Sequence, residues 1–193
     1  CRHAAGQGLA PVARPPHSSS SAATVSLLVL DVDGVLTDGS IQIDDLGHET
    51  KRFNVRDGFG IKLWQKLGFR VAIITGRSGK AVQYRAAELG ITELVQGSSD
   101  KIASLREMTA GLGLELSAVA CIADDWPELE MMRHVGYPIA VADADARVLA
   151  AAAYITSRPG GHGAVREAVE HLLTARGLLN RALGLYDSRH AAE

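Results

Sequence analysis

Short apolar segments that alternate with helical patterns constrain the fold of this chain more than any other feature. The segments Val25–Leu30, Phe69–Ile74 and Ala118–Ile122 have strand length, and each is followed within two residues by a polar or acidic side chain. Such segments are typical of strands buried on both faces. Their alternation with helices predicts an α/β fold, a Rossmann-like parallel sheet covered by helices on both faces. Functional residues of such sheets lie beyond the carboxyl ends of the strands, where the strand order reverses.

The length of 193 residues is typical of a single domain. We expect a disordered or organelle-targeting tail over residues 1–24, a globular domain over residues 25–175 and a C-terminal tail with weak periodicity over residues 176–193. The net charge of −2 and the lack of a long apolar run predict no nucleic acid and no membrane as partners. Two cysteines fit a cytoplasmic protein. A small β-hairpin is predicted around residues 41–53. A helix that Gly68 ends is predicted to carry Phe59, Leu63, Trp64 and Leu67 on one face.

The first candidate site is the pair Asp31 and Asp33, which follows the first buried segment. Asp and Gly also favour turns, but a turn alone leaves the repulsion between two close carboxylates unexplained. A divalent cation would relieve that repulsion, and oxygen ligands suit Mg²⁺.

The second and third sites are weaker when taken separately. The next strand is followed by Thr75, Gly76 and Arg77. A hydroxyl, a glycine and the amides of a helix start can bind an anion there. Thr75 as a helix cap without a ligand is an equally good interpretation. Lys101 opens a predicted helix, a position at which most lysines are solvated.

The fourth site, Asp124 and Asp125, again follows a buried strand. Asp125 and Glu128 form a helix-capping pattern, which leaves Asp124 for a metal. All four sites lie at strand ends or helix starts, in the order acid pair, Thr, Lys, acid pair. This joint placement indicates a functional site far more specifically than any one of the four does.

These residues resemble the four motifs of the haloacid dehalogenase (HAD) superfamily, with the stretch from Asp31 to Asp38 as the first. The resemblance covers about residues 25–173 and is closer to the 3-deoxy-D-manno-octulosonate 8-phosphate (KDO 8-phosphate) phosphatases, in the stretches Asp31–Gly39, Phe53–Gly58, Ala72–Arg77 and Gly160–Glu167. Two positions depart from the pattern: Ala123 replaces the usual Gly, and Glu128 replaces the usual Asp.

The resemblance implies a magnesium-dependent phosphatase. Asp31 would be a nucleophile that is transiently phosphorylated, and Asp33 would act as acid and then as base. Asp31, Asp124 and the backbone carbonyl of Asp33 would hold Mg²⁺. Thr75 and Lys101 would hold the phosphoryl oxygens, and Asp125 would steady the metal or Lys101.

The resemblance also implies a small-molecule sugar phosphate as substrate and a capless enzyme whose hairpin builds a homotetramer. Asn54, Arg56 and Gly76 are candidates to bind substrate, and Arg77 is a candidate for a sugar carboxylate. Arg166 is a weaker candidate, with a helix neighbour as its alternative partner.

Three alternatives remain open at this point. A nonulosonate 9-phosphate phosphatase of the same type would have identical core motifs. A non-catalytic regulatory or oligomerising domain would be expected to lose some of the chemical residues, whereas all are present. A phospho-receiver domain would place an acid pair after the first strand and its phosphorylated Asp after a middle strand. Here the Asp-x-Asp pair after the first strand, with Asp33 in position to act as acid and base, favours turnover over signalling.

Overall fold

The computed structural model describes residues 22–187. Six parallel strands form one sheet in the order β5-β4-β1-β6-β7-β8, and β2 and β3 form a separate antiparallel hairpin. The strands are β1 (Leu27–Leu30), β2 (Gln42–Ile43), β3 (Glu49–Thr50), β4 (Arg70–Ile74), β5 (Glu93–Val95), β6 (Val119–Ala123), β7 (Tyr137–Ala140) and β8 (Tyr154–Ile155). The predicted parallel sheet and small hairpin are therefore confirmed.

Seven helices connect or follow these strands within the described residues. They are α1 (Val55–Lys66), α2 (Lys80–Leu89), α3 (Lys101–Leu112), α4 (Leu129–His134), α5 (Ala146–Ala151), α6 (Ala164–Ala175) and α7 (Leu179–Gly184). Helix α1 packs against α6, while α3 and α5 pack against α4. No helix in residues 22–187 has both the length and the apolar character needed to cross a bilayer.

The core is centred on β1, whose four residues are all buried between β4 and β6. The all-apolar sequence Leu-Leu-Val-Leu suits a strand that is covered on both faces. This central position makes the carboxyl end of β1 the point at which the strand order reverses, because β4 leads to one edge of the sheet and β6 to the other.

Helix α1 follows the predicted apolar face at Leu63 and Trp64 but not at Phe59. Phe59 is 37% exposed, whereas Gly60 and Trp64 are buried. A Cβ added to Gly60 would lie 2.9 Å from the Cα of Arg166, so glycine here permits α1 and α6 to approach closely. Phe59 instead contacts Tyr186, with their ring centroids 5.0 Å apart.

Both ends of the described chain contact the domain. The tail predicted from residue 176 includes helix α7, with Ala182 buried. The tail predicted over residues 1–24 falls largely outside the described residues. Within them Ala22 is buried, and Arg176 Nη1 donates to the carbonyl of Ala23 at 2.6 Å.

Candidate active site

The carboxyl ends of three neighbouring strands bring the predicted residues to one edge of the sheet. Asp31 follows β1, Thr75 follows β4, and Asp124 follows β6. Asp31 and Thr75 are both buried. This shared edge is a direct consequence of parallel pairing, which places the ends of adjacent strands side by side.

Lys101 reaches the same place from a helix. It is the first residue of α3, which begins after Asp100 caps it by accepting from the amide of Ala103. Its Nζ lies 2.6 Å from Asp31 Oδ1 and also contacts Glu128 Oε1. The side chain is only 7% exposed, so the alternative of a solvated surface lysine is wrong. A buried ammonium needs such carboxylate partners to offset the loss of hydration.

Burial and charge set the ionisation of this group. Burial raises the pKa of Asp31 to about 6, against the opposing effect of Lys101. Burial acts to lower the pKa of Lys101, but the carboxylates of Asp31 and Glu128 raise it overall. Lys101 is therefore an ammonium at neutral pH, and Asp31 is a carboxylate next to it.

Asp124 lies in the most unfavourable electrostatic surroundings of the site. Burial, together with the charges of Asp31, Glu128 and Asp125, raises its pKa to about 8. One carboxylate oxygen each of Asp31, Asp124 and Glu128 lies within 4.8 Å of the others. A divalent cation would relieve this repulsion, and all the donors are hard oxygens, so the residues fit Mg²⁺.

Gly34 explains how Asp124 approaches the first motif. A Cβ at Gly34 would lie 1.9 Å from Asp124 Oδ2, and the residue has φ +93°. A side chain here would therefore displace the Asp124 carboxylate as well as strain the backbone.

Glu128 makes the contact with Lys101 that the resemblance offered as one of two roles for Asp125. Asp125 and Glu128 form a capping box at the turn Trp126–Glu128, in which Asp125 Oδ1 accepts from the amide of Trp126 at 2.8 Å. The other end of the Glu128 carboxylate contacts Lys101. The longer Glu side chain thus closes the turn and pairs with Lys101 at once, a contact expected of Asp125.

The loop after β4 differs in detail from the prediction. Helix α2 begins only at Lys80, with Gly79 as its N-cap, so Thr75 does not cap it. Thr75 Oγ1 accepts from the amide of Arg77 at 3.4 Å, and Gly76 is exposed. Arg77 Nη2 donates to Glu49 Oε2 at 2.8 Å.

Asn54 makes structural contacts that link two distant stretches of sequence. Its Oδ1 caps α1 by accepting from the amide of Arg56, and its Nδ2 donates to the carbonyl of Gly161 at 3.1 Å. The buried carboxylate of Asp57 accepts from the amides of Gly163 and Arg166 at 3.1 and 2.9 Å. The stretches around Asn54 and Gly160 are therefore two halves of one contact.

The glycine loop in turn supports the nucleophile loop. The amide of Gly161 donates to the carbonyl of Val35 at 2.9 Å. A Cβ at Gly160 would lie 1.7 Å from the carbonyl oxygen of Gly34. The loop thus packs directly on the backbone that follows Asp31 and Asp33.

The two remaining arginines lie on the surface. Arg56 is exposed and lines a cavity of about 640 Å³ together with Arg158 and Arg166. Arg166 pairs with Glu170 at 2.6 Å, four residues further along α6. Arg166 thus has the partner on its own helix that the sequence offered as the alternative to substrate binding.

Sequence reasoning missed Lys51. Its Nζ contacts Asp33 Oδ1 and lies 3.0 Å from Glu49 Oε1. Glu49 and Lys51 stand two residues apart in the predicted hairpin, and strand-like alternation there would put both on one face. That spacing is the feature that points to the pair.

The chain is similar to known proteins of one family. A family model described as haloacid dehalogenase-like hydrolase matches residues 88–167. The 3-deoxy-D-manno-octulosonate 8-phosphate phosphatase of Salmonella typhimurium is 44% identical over 169 residues, which cover 88% of this chain and 90% of that protein.

Solved structures give the same result. The phosphatase of that name from Yersinia pestis superposes with a TM-score of 0.83 at 44% identity, covering 85% of this chain and 89% of the other. The one from Moraxella catarrhalis, in complex with magnesium, phosphate and KDO, has a TM-score of 0.85 at 41% identity, covering 88% and 97%.

Proposed function

The chain belongs to the haloacid dehalogenase-like hydrolases, in the group of the KDO 8-phosphate phosphatases, and from this premise we propose that it hydrolyses KDO 8-phosphate through a phosphorylated Asp31. Phosphatase activity and a magnesium cofactor follow from the family. The observation that carries the proposal is the buried Asp31 carboxylate, which lies 2.6 Å from Lys101 at the strand edge that also holds Asp124.

In the first step an oxygen of Asp31 attacks phosphorus, and the bond from phosphorus to the sugar oxygen breaks. Asp33 donates a proton to the departing oxygen, which leaves as the alcohol. In the second step water attacks the aspartyl phosphate, Asp33 takes the proton of that water, and inorganic phosphate leaves. Asp31 is regenerated as a carboxylate, so the cycle balances.

Lys101 supports both steps from within the protein. Its ammonium neutralises Asp31 in the resting enzyme and can transfer its hydrogen bond to phosphoryl oxygens as Asp31 is consumed. Glu128 holds the ammonium in place during that exchange. The hydroxyl of Thr75, a buried residue at the end of β4 next to β1, is the second proposed donor to phosphoryl oxygens.

Mg²⁺ would be held by Asp31, Asp124 and the backbone carbonyl of Asp33. When bound, it supplies positive charge that offsets the negative charge of the phosphate. Asp124 contributes a carboxylate already surrounded by negative charge. The capping contact at Asp125 fixes the backbone that follows Asp124.

Substrate choice is proposed from the relatives and the hairpin. The Moraxella catarrhalis enzyme binds KDO and phosphate, and the similarity to it extends over 88% of this chain. Arg77, whose Nε lies 3.7 Å from Asp33 Oδ2, is the proposed partner of a sugar carboxylate. Asn54 and Arg56 remain proposed substrate contacts, Asn54 through the loop that it holds.

We also propose a homotetramer built through the hairpin. Ile41, Ile43 and Leu46 are large apolar side chains exposed on it, and Ile43 is 63% exposed. Burying such side chains against another copy of the chain would remove them from water and shield the neighbouring site.

Phosphate release with magnesium tests the function. The purified chain would be assayed with KDO 8-phosphate, a nonulosonate 9-phosphate and simple hexose phosphates, with Asp31→Asn as the blank. Preference for KDO 8-phosphate supports the proposal, and preference for the nonulosonate ester would transfer the same chemistry to the alternative substrate. A protein that binds magnesium but releases no phosphate from any ester would favour a regulatory domain.

A further inference from the structure

A closed set of four charges joins the hairpin to the candidate acid and base. Lys51 contacts Asp33 Oδ1, and Glu49 Oε1 lies 3.0 Å from the same ammonium. Glu49 Oε2 accepts from Arg77 Nη2 at 2.8 Å, and Arg77 Nε lies 3.7 Å from Asp33 Oδ2. The charges alternate in sign around the set, so each favours the position of the next.

Lys51 is the buried member of this set. Its side chain is 4% exposed, although the hairpin carries some of the most exposed apolar residues in the described chain. A lysine withdrawn from water is stable only where carboxylates replace its hydration. Asp33 and Glu49 provide that replacement, so this end of the hairpin is held against the site by charge.

The two oxygens of Asp33 differ because of this contact. Oδ1 is engaged by Lys51, whereas the buried Oδ2 accepts no hydrogen bond within residues 22–187 and has the Arg77 Nε as an ion-pair neighbour at 3.7 Å. A buried carboxylate oxygen without a donor is costly unless another group binds there. Oδ2 is thus the oxygen that can exchange a proton with the ester oxygen or with water.

We propose that Lys51 is a positioning residue that fixes the Asp33 carboxyl through Oδ1 and presents Oδ2 to the reacting oxygens. The inference rests on the proposed function, in which Asp33 is the acid and base. Glu49 supports Lys51 from the other side, and Arg77 supports Glu49. The hairpin thereby contributes to proton transfer in addition to its proposed role in the tetramer interface.

The chemistry of the leaving group separates this role from a structural one. A sugar alkoxide is a strong base and needs a proton as it departs, whereas nitrophenolate is a weak base and departs without one. The value of kcat/KM reports steps only through the departure of the alcohol. Loss of Asp33 positioning therefore reduces kcat/KM for a sugar phosphate and spares kcat/KM for p-nitrophenyl phosphate.

The test compares Lys51→Met, Lys51→Arg and the control Arg52→Met. Arg52 carries a neighbouring charge of the same segment but pairs with Asp38 instead. With the best sugar phosphate we expect K51M to lower kcat/KM about 10- to 100-fold, which is part of the full rate enhancement that a general acid provides. With p-nitrophenyl phosphate we expect K51M to lower kcat/KM only about 2-fold. K51R should recover part of the activity, and R52M should stay within about 2-fold of wild type.

A double-variant cycle distinguishes positioning from substrate binding. If Lys51 acts through Asp33, K51M in an Asp33→Asn background should cause no further loss with the sugar ester. Equal losses on both esters, or a full additional loss in the Asp33→Asn background, would overturn the role of Lys51 while leaving the phosphatase intact. Wild-type inactivity on every ester would instead overturn the proposed function, and Lys51 positioning with it.

Discussion

Replacing Asp124 by Asn should stabilise the metal-free protein while removing its response to magnesium. In the structure Asp124 is surrounded by the carboxylates of Asp31, Glu128 and Asp125. Asn has the same shape but no charge, so it removes the repulsion without leaving a cavity. The site is arranged for a cation, and without one its carboxylates oppose folding.

The magnitude follows from the pKa of Asp124, which is raised from 3.8 to about 8. An acid with a raised pKa binds more protons in the folded state than in the unfolded state, so its contribution to stability falls as pH rises between the two values. At about 1.36 kcal/mol per pKa unit, the penalty grows from about 0.5 kcal/mol at pH 4 to about 5 kcal/mol at pH 8. Because neighbouring side chains can relax around the charge, we expect D124N to recover about 1–3 kcal/mol at pH 8.

Urea denaturation in EDTA, at pH 5 and at pH 8, measures this gain. The difference between D124N and wild type should be larger at pH 8 than at pH 5. Adding magnesium should then stabilise wild type, because the cation binds only the folded state, and should stabilise D124N much less. Asp45→Asn, in the exposed hairpin loop, is the control and should change stability by less than about 0.5 kcal/mol.

Two results would refute the reasoning. If D124N is less stable than wild type in EDTA at pH 8, the carboxylate makes favourable contacts that outweigh the repulsion. If the gain does not grow between pH 5 and pH 8, Asp124 ionises near its ordinary value, and the carboxylates are further apart or better hydrated than the structure has them.

Three further predictions concern the nucleophile, the glycine loop and the hairpin. Asp31→Asn should abolish phosphate release and leave the far-UV circular dichroism unchanged; unchanged turnover would end the nucleophile assignment. Gly160→Ala should destabilise the protein by about 1–3 kcal/mol in urea denaturation and reduce kcat, because its Cβ would meet the loop that follows Asp31. The control Gly111→Ala, which has open space around it in α3, should be neutral or stabilising by up to about 1 kcal/mol. Light scattering should give a tetramer for the wild type and smaller species for the double variant Ile43→Glu, Leu46→Glu, and a monomeric wild type would contradict the hairpin interface.

The sequence by itself determined the sheet and the residues at its edge. Asp31, Thr75 and Asp124 each follow an apolar segment, and parallel pairing brings the ends of such segments together whatever the details of packing. Lys101 was found as the first residue of a helix, because its cap at Asp100 is a local pattern. These features depend on neighbours in sequence or on one rule of sheet geometry.

Only the tertiary structure decided which side chains meet across the site. Lys51 contacts Asp33, and Asn54 donates to Gly161, through pairs that are far apart in sequence. Glu128 contacts Lys101 from the capping turn, 27 residues further along the chain. Such contacts depend on where a hairpin or a loop comes to rest, which is set by packing of the whole domain and not by the local pattern of residues.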